Sequence, residues 1–480
     1  MDGGIVMRIG FIAMSGLRIC KPELLELGFT FPNVAERARQ IEALPTLGLL
    51  TLAGMTPKHI ETEYLEVRDV RGDSLPTRFD AVAISTLTAV SKEAYALADR
   101  FRSAGVPVII GGLHPTLRPD ETMRHADAVA IGEGELIWPQ IVHDLEAGVL
   151  KPVYDARVLG PFDLNNAPMP RFDLLDPSRY PRFSVQTQRG CPWSCEFCAS
   201  SIRLNPKFRV KPVEKVIAEI RFIKSLYRNP FIEFADDNTF VNREHARKLV
   251  KALAAENIRW FTESDLNVAE DPELLEMMRE AGCAQVLIGF ESPSYSELNG
   301  IEQNANWKAR KLDRYLSSVE SIQRHGITVN GCFVLGLDGS GPETASDILR
   351  FVRESGLYDV QITFMTPFPG TPLWDRLKAE GRILDESASE KCTLFDVNFQ
   401  PDGMSVGDLE RQIVRLAGLL YDQRFVKERG LRFRSHLRNR IVGEHRMTKK
   451  LVKKPANQPS ARPSRPLRTS SGRRYGSGAL

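Results

Sequence analysis

Short apolar runs alternate with polar stretches of helical length over the first 150 residues of the chain. Helices are predicted around 90–104 and 136–147, and the apolar runs are predicted strands: VMRIGFIAM, EYLEVRDV, FDAVAIS, VPVIIGG and ADAVAIG. Apolar strands separated by helices are typical of a parallel sheet that is covered on both faces. Residues 1–150 are therefore predicted to form an α/β domain of flavodoxin-like or Rossmann-like type, which binds ligands at the carboxyl ends of its strands.

A second series of six apolar runs begins near residue 184: FSVQTQ, FIEFAD, IRWFTES, QVLIGFES, TVNGCFVLGL and VQITFMTP. Clear helix signals lie between them. Pro212 precedes apolar residues at helical spacing, Asp271 and Pro272 resemble an N-cap and a first helical position, and Pro342 and Gly356 bracket a further helix. Six strand–helix repeats predict a partial, open (β/α)6 TIM-like barrel over residues 184–400, with its chemistry at the carboxyl-terminal rim.

The remaining segments are predicted to connect or to follow these two domains. Residues 151–183 contain six prolines and no periodicity, which indicates a linker. Residues 401–445 are predicted to form a helical C-terminal region. Residues 446–480 are rich in Lys, Arg, Pro, Ser and Gly, and are predicted to be a disordered basic tail.

Composition and charge are those of a globular protein with one basic end. Apolar residues make up 42% and charged residues 26%, no apolar run is long enough to span a membrane, and Arg8 interrupts the apolar start, so a cytoplasmic location is expected. Residues 431–480 carry 14 Lys or Arg and one acidic residue, whereas 1–430 carry 50 basic and 60 acidic residues. Only the tail could bind RNA, and a solubilising role is preferred because aromatic residues are not interleaved there.

Three of the seven cysteines lie within eight residues, in the segment RGCPWSCEFC that follows the first strand of the second domain. Cys191, Cys195 and Cys198 have the spacing C-x3-C-x2-C, and soft thiolates favour iron–sulfur clusters or zinc. Three thiolates on a four-iron cluster leave one iron open for a reactive ligand. The alternatives are a zinc site completed by a distant ligand, or three buried thiols; a zinc ribbon needs a second C-x2-C pair, which the sequence lacks.

This cysteine spacing, with Phe197 before the third cysteine, resembles the radical S-adenosylmethionine (SAM) superfamily. The resemblance implies that Cys191, Cys195 and Cys198 hold a 4Fe-4S cluster, that SAM chelates the open iron, and that an electron from the cluster cleaves SAM to give a 5′-deoxyadenosyl radical. It also implies SAM contacts at the ends of successive strands. They are Asp236, Asp237 and Asn238 near the methionine group, Gly289, Glu291 and Ser292 near the ribose with Glu263 as a weaker candidate for the same pocket, and Gly331 and Phe333 near the adenine. Phe197, in the cluster loop, is a further expected contact with SAM. The loop 366–373 resembles a rim loop of the same family.

The N-terminal domain resembles the cobalamin-binding domain that precedes many such barrels. The motifs that carry this resemblance follow the third, fourth and fifth strands and supply the implied contacts: Ser85, Leu87, Gly111, Gly112, His114, Gly132, Glu133 and Gly134. Glycines at strand ends let the backbone approach a flat macrocycle. The segment 15–20 reads SGLRIC and lacks the His that binds cobalt from below in some relatives. The alternative is a domain that has lost cobalamin and only shapes the active site.

The function that the resemblance implies is methyl transfer from cobalamin to a small molecule, with a flavodoxin-type or ferredoxin-type protein as the electron donor. One alternative is a radical oxidoreductase or cyclase of the anaerobic porphyrin-ring type. Another is a non-catalytic sensor that binds cobalamin and the cluster only as ligands. A tRNA methylthiolase would need a second group of three cysteines, and the other four cysteines here are scattered.

Overall fold

The computed structural model describes residues 7–14, 19–23, 44–70, 78–176, 178–199 and 207–452. Residues 1–437 form one compact unit, and residues 438–480 form a second. The segment 15–18, where the cobalt-binding His is missing, and the tail beyond 452 lie outside the described residues. No helix within the described ranges is long and apolar enough to cross a membrane.

The N-terminal domain contains a six-stranded parallel sheet in the order β2-β1-β3-β4-β5-β6. The order of strands reverses at β1, with β2 on one side and β3 on the other, which is the switch point of flavodoxin-like folds, so the flavodoxin-like prediction is confirmed. The segment predicted as a linker contributes the edge strand β6. The strands are β1 (Arg8–Met14), β2 (Glu61–Val67), β3 (Ala81–Ser85), β4 (Val108–Gly111), β5 (Ala128–Ile131) and β6 (Val153–Asp155).

Helices cover both faces of this sheet. The prediction missed α1, whose sequence LGLLTLAGM is apolar on every side and shows no helical period. This helix packs against α5, and the ring of Trp138 in α5 packs at a tilt against Phe11 of β1 with ring centroids 5.4 Å apart. The helices of this domain are α1 (Leu47–Met55), α2 (Ser91–Ser103), α3 (Leu113–Leu117), α4 (Pro119–Thr122) and α5 (Gly134–Glu146).

The second domain is an open parallel barrel of six strands in the order β14-β13-β12-β11-β10-β7, which confirms the predicted partial barrel. A separate antiparallel pair, β8 with β9, lies beside the first strand. The strands are β7 (Phe183–Val185), β8 (Gln188–Arg189), β9 (Arg209–Val210), β10 (Phe231–Phe234), β11 (Arg259–Ser264), β12 (Cys283–Glu291), β13 (Thr328–Leu335) and β14 (Asp359–Phe364).

The predicted ends of the barrel helices agree with the capping residues that the structure shows. Asp271 accepts the N–H of Leu274 at 3.0 Å, and Pro272 follows as the first helical residue. Gly356 ends another helix with φ +64°, a backbone conformation that favours glycine. The barrel helices are α6 (Val213–Leu226), α7 (Arg243–Ala254), α8 (Pro272–Glu280), α9 (Tyr295–Leu298), α10 (Trp307–Arg310), α11 (Tyr315–Arg324), α12 (Thr344–Ser355) and α13 (Pro372–Ala379).

Two helices follow the barrel, α14 (Val406–Leu420) and α15 (Gln423–Val452). A capping box starts α14, since Ser405 and Asp408 exchange hydrogen bonds between side chain and backbone. The helical C-terminal region is therefore confirmed, and α15 continues into the first residues of the segment predicted to be disordered.

Candidate active site

The three clustered cysteines line one cavity of about 400 Å³ at the carboxyl ends of the barrel strands. The loop that carries them starts at Gly190, whose φ of +85° turns the chain and whose N–H donates to Asp237 Oδ2 at 2.9 Å. Backbone hydrogen bonds then fix the loop around Cys195, from Glu196 N to Ile301 O at 2.9 Å and from Gln303 N to Ser194 O at 3.1 Å. The loop is held on both sides of its central cysteine.

The donor set fits an iron–sulfur cluster. Burial raises the pKa of Cys191 to about 11 and that of Cys195 to about 12, so without metal both thiols are protonated at neutral pH and iron must displace those protons. Among the described residues, no three His, Cys, Asp or Glu side chains converge closely enough to hold a single ion. A cubane does not require such convergence, because each thiolate binds a different iron atom.

Asp236 anchors the cluster loop and does not line the cavity. Its buried carboxylate accepts the N–H groups of Thr187 at 2.7 Å and Gln188 at 3.1 Å, and the hydroxyl of Thr239 at 2.8 Å. Burial raises the pKa of Asp236 to about 6, although these hydrogen bonds oppose the rise. The carboxylate is directed at the backbone that leads into the cluster loop, and its expected contact with SAM stays a prediction.

Asp237 and Asn238 lie on the cavity wall, as the resemblance implies. The amide of Asn238 donates to Asp265 Oδ2 at 2.9 Å and lies 3.8 Å from the sulfur of Cys191. The indole N–H of Trp193 donates to the same Asp265 oxygen at 2.9 Å. Sequence reasoning missed Asp265, although its place directly after β11 is the same signal that identified Asp237 after β10.

The end of β12 brings a buried ion pair to the cavity. Glu291 has φ +61° at a register shift of the strand, and its carboxylate pairs with Lys308 of α10. Lys308 also donates to the carbonyl oxygen of Gly289 at 2.7 Å. Burial alone would lower the pKa of Lys308, but Glu291 and Cys195 raise it well above its usual value. No motif in the sequence pointed to Lys308, because α10 reaches the site only through the fold.

Three predicted SAM contacts face away from the cavity. Ser292 is fully buried, and its hydroxyl accepts the N–H of Ser294 at 3.0 Å, so it shapes a turn. A Cβ on Gly331 would lie 2.7 Å from Leu357 in the core, and Phe333 stacks on Phe290 with ring centroids 5.8 Å apart. The residues of β13 that do line the cavity alternate with these two, namely Cys332 and Val334.

Glu263 lies inside the barrel between the active-site cavity and a second cavity of about 640 Å³ at the opposite end. Its side chain is exposed to this internal space although the barrel surrounds it. The enclosure raises the pKa of Glu263 to about 8, and nearby carboxylates, with Glu233 contributing most, add to the rise. Glu263 is therefore largely neutral at pH 7, so that it is able to donate as well as accept a hydrogen bond.

Replacing Glu263 by Gln is expected to raise the unfolding temperature above about pH 8 and to change it little near pH 4.5. The folded pKa lies above the usual value, so the native state binds the proton more tightly than the unfolded chain does. The stability that the protonated Glu263 gives to the folded state is complete at low pH and is lost as the pH rises towards 8. Thermal melting across this range measures the difference, and a gain that is the same at every pH contradicts the assignment.

A cleft of about 280 Å³ lies at the carboxyl ends of β3, β4 and β5, beside the switch point of the N-terminal sheet. Helices α1 and α5 form its apolar side, with Leu52 and Trp138. Six of the eight predicted cobalamin contacts line this cleft: Ser85, Gly111, Gly112, Gly132, Glu133 and Gly134. The glycines fit a backbone cradle, because a Cβ on Gly134 would lie 3.1 Å from Leu52 and narrow the space.

The other two predicted cobalamin contacts lie elsewhere. His114 is 1% exposed, its ring centroid lies 6.0 Å from that of Tyr95, and it lies 3.6 Å from Glu121, so it is part of the core and its contact with cobalamin stays a prediction. Burial lowers its pKa. Leu87 is outside the cleft at the end of β3 with 61% of its surface exposed, a large apolar side chain that a macrocycle could cover.

Replacing Gly112 by Ala is expected to destabilise the protein by about 2–3 kcal/mol. Gly112 has φ +111°, and a Cβ there would lie 2.7 Å from the carbonyl oxygen of Thr86, so the loop at the cleft must move. Gly105 is the control, because it has φ +77° with nothing within 4 Å of its Cβ position. Alanine there is expected to cost about 1 kcal/mol. Equal losses in thermal melting would show that Gly112 is not crowded.

Comparison with known proteins identifies both domains. The model of the radical SAM superfamily matches residues 185–354 and that of the B12 binding domain matches residues 42–142. A domain of unknown function (DUF4070) matches residues 371–461.

Characterised relatives cover most of the chain. Bacteriochlorophyllide d C-12(1)-methyltransferase of Chlorobaculum tepidum is 28% identical over 383 residues, which is 78% of this chain and 82% of that protein. Hopanoid C-2 methylase of Rhodopseudomonas palustris is 29% identical over 73% of this chain and 68% of that protein. The anaerobic magnesium-protoporphyrin IX monomethyl ester cyclase of Rubrivivax gelatinosus is 21% identical over 63% of this chain and 58% of that protein.

A solved structure shares the two-domain fold. The cobalamin-dependent SAM radical enzyme OxsB, solved with aqua-cobalamin and SAM bound, superposes with a TM-score of 0.62. The alignment covers 85% of this chain and 66% of that one at 14% sequence identity, so the likeness concerns the fold.

Proposed function

Because this chain belongs to the radical SAM superfamily, in the group whose barrel follows a B12-binding domain, we propose that it transfers a methyl group to an unactivated carbon or phosphorus of a small molecule. The radical SAM domain implies a 4Fe-4S cluster and SAM, and the B12-binding domain implies cobalamin. When bound, these groups supply the electron that breaks the S–C5′ bond of SAM, the radical that removes hydrogen from the substrate, and the methyl group.

The cavity residues have separate tasks in this proposal. Cys191, Cys195 and Cys198 bind the cluster, and the rim that holds Asp237 and Asn238 next to Cys191 orients the amino and carboxylate groups of SAM. Trp193 stacks on Trp307 with ring centroids 4.6 Å apart, so that two large side chains exclude water beside the cluster loop. A cavity of about 400 Å³ is within the range of small-molecule sites.

One observation carries the proposal, which is that a single short segment, 189–191, reaches both candidate cofactor sites. Arg189 lines the cleft of the N-terminal domain, and the first cluster cysteine follows it by two residues. A methyl donor bound in the cleft would therefore be close to a substrate that is held above the cluster. Methyl transfer that involves two cofactors and a substrate requires short distances between the reacting groups.

Product analysis tests the proposal. Protein purified and reconstituted without oxygen is supplied with cobalamin, a low-potential reductant, SAM labelled with deuterium in its methyl group, and a panel of small molecules as candidate methyl acceptors. Methyl transfer is expected to give S-adenosylhomocysteine as well as 5′-deoxyadenosine, with the label in the substrate. Formation of 5′-deoxyadenosine without S-adenosylhomocysteine contradicts methyl transfer.

An oxidoreductase or cyclase is the second candidate, because a magnesium-protoporphyrin cyclase is among the relatives. The same product analysis separates the two, since a cyclase transfers no methyl group. The relatives named above are enzymes and lend no support to a non-catalytic sensor.

The proposal includes a reducing cytoplasmic location, in which cluster thiols stay reduced. It also includes a flavodoxin-type or ferredoxin-type electron donor. Nucleic acid is not part of the proposal, and the basic tail is assigned a solubilising role.

A further inference from the structure

A buried network of charged side chains joins the cleft of the N-terminal domain to the cluster loop. Arg189 Nη1 donates to Glu133 Oε1 at 2.6 Å, and its other terminal nitrogen pairs with Glu135. Both acidic residues flank the start of α5, where Gly134 forms part of the cleft. Arg189 itself lies on β8, directly before Gly190 and Cys191. The network therefore connects a ligand-binding loop of one domain with the metal-binding loop of the other.

The remaining partners hold this network in one arrangement. Arg209 of β9 donates to Glu133 Oε2 at 3.0 Å and to the carbonyl oxygen of Phe162 at 2.7 Å. The third nitrogen of Arg189 donates to Gln186 Oε1 at 2.7 Å. The side chains of Arg189, Glu133 and Glu135 are 14%, 10% and 8% exposed, so their charges have little access to bulk water. Burial alone would raise the pKa of Glu133, but hydrogen bonds, the largest from Arg209, hold it below its usual value and the group stays ionised.

We propose that Arg189 is a positioning residue that couples occupancy of the cleft to assembly of the cluster, through its bonds to Glu133 and Glu135. A ligand against Gly132 and Gly134 restrains the loop that presents both carboxylates. The carboxylates fix the guanidinium, and the guanidinium fixes the backbone from which Cys191 projects. The coupling is reciprocal, because a cluster that orders Cys191 also orders Arg189 and the wall of the cleft.

The planar fork of arginine is what allows this coupling. It bridges two carboxylates and an amide oxygen at once, whereas the ammonium of lysine is a single point of charge. Arg189→Lys therefore keeps the positive charge but removes the bridge between the two carboxylates. Glu135→Gln removes one charged partner of Arg189, while Glu133 stays paired with Arg209. Arg157→Gln is the matched control, because Arg157 lies beside Gly132 but directs its hydrogen bonds to Asp155.

The inference rests on the proposed binding of cobalamin, and its test separates the two. Binding of hydroxocobalamin is followed by absorbance and equilibrium dialysis, without oxygen, for the full chain before and after cluster reconstitution. We expect the wild type and Arg157→Gln to bind about tenfold more tightly with the cluster present, which is within the usual range of coupling between two sites. Arg189→Lys and Glu135→Gln are expected to bind with nearly equal affinity in both states.

The outcomes differ for the two hypotheses. The inference is overturned if the wild type binds cobalamin equally with and without the cluster. It is also overturned if both variants keep the tenfold ratio between the cobalamin affinities measured with and without the cluster, because Arg189 then does not couple the sites. If the wild type binds no cobalamin in either state, the cobalamin part of the proposed function fails first. Should Arg189→Lys not fold, Glu135→Gln decides the matter alone, because it leaves the arginine in place.

Discussion

Replacing Cys195 by Ser is expected to abolish the 4Fe-4S cluster and to lower the formation of 5′-deoxyadenosine by at least about 1,000-fold. Cys195 is the central cysteine of the loop and is 8% exposed. A hydroxyl is a poor ligand for iron that prefers soft sulfur. Backbone bonds on both sides hold this position, so the hydroxyl of the serine stays where the thiolate is required. Iron and sulfide content, the absorption spectrum and product yield measure the effect.

A cysteine remote from the cavity supplies the control for this variant. Cys283 begins β12 at the opposite end of the barrel and is 5% exposed, with its thiol directed at the carbonyl oxygen of Gln285. Cys283→Ser is expected to retain the cluster and the activity. If Cys195→Ser still assembles a redox-active cluster that cleaves SAM, the three-cysteine site is wrong.

Replacing Lys308 by Met is expected to destabilise the protein by about 3–5 kcal/mol, which corresponds to a fall in unfolding temperature on the order of 10 °C. Lys308 and Glu291 are each 7% exposed. Removing the ammonium leaves the mostly buried Glu291 carboxylate without its ion-pair partner. The variant Lys308→Met/Glu291→Gln removes both charges and is expected to recover most of the loss.

An exposed ion pair supplies the comparison for Lys308. Lys248 and Glu244 pair on the surface of α7 with side chains 67% and 79% exposed. Lys248→Met is expected to cost less than about 1 kcal/mol. Thermal melting of the three variants tests the account, and a double variant that is no more stable than Lys308→Met would mean that the loss comes from packing.

The sequence was sufficient for features that depend on neighbouring residues. The cluster loop is one continuous segment, so the spacing of its cysteines is visible before any fold is known. The two sheets follow from apolar runs separated by helices, and six glycine-motif residues of the N-terminal domain do reach one cleft because parallel strands end at the same edge.

The sequence was insufficient where the two faces of a strand are equally apolar. In NGCFVLGL both faces of β13 are mostly apolar, so the pattern did not show that Cys332 and Val334 face the cavity while Gly331 and Phe333 face the core. Lys308 was missed for another reason. It reaches the site through tertiary folding, which no local spacing reports.

The most direct test of the central claim is a count of 5′-deoxyadenosine formed by the anaerobically reconstituted full chain with SAM and a low-potential reductant. If three thiolates hold a cubane with one open iron, the protein contains about four irons and produces 5′-deoxyadenosine in a reaction that requires the reductant. Zinc bound by the three cysteines, or a full complement of iron with no cleavage of SAM, would contradict the account.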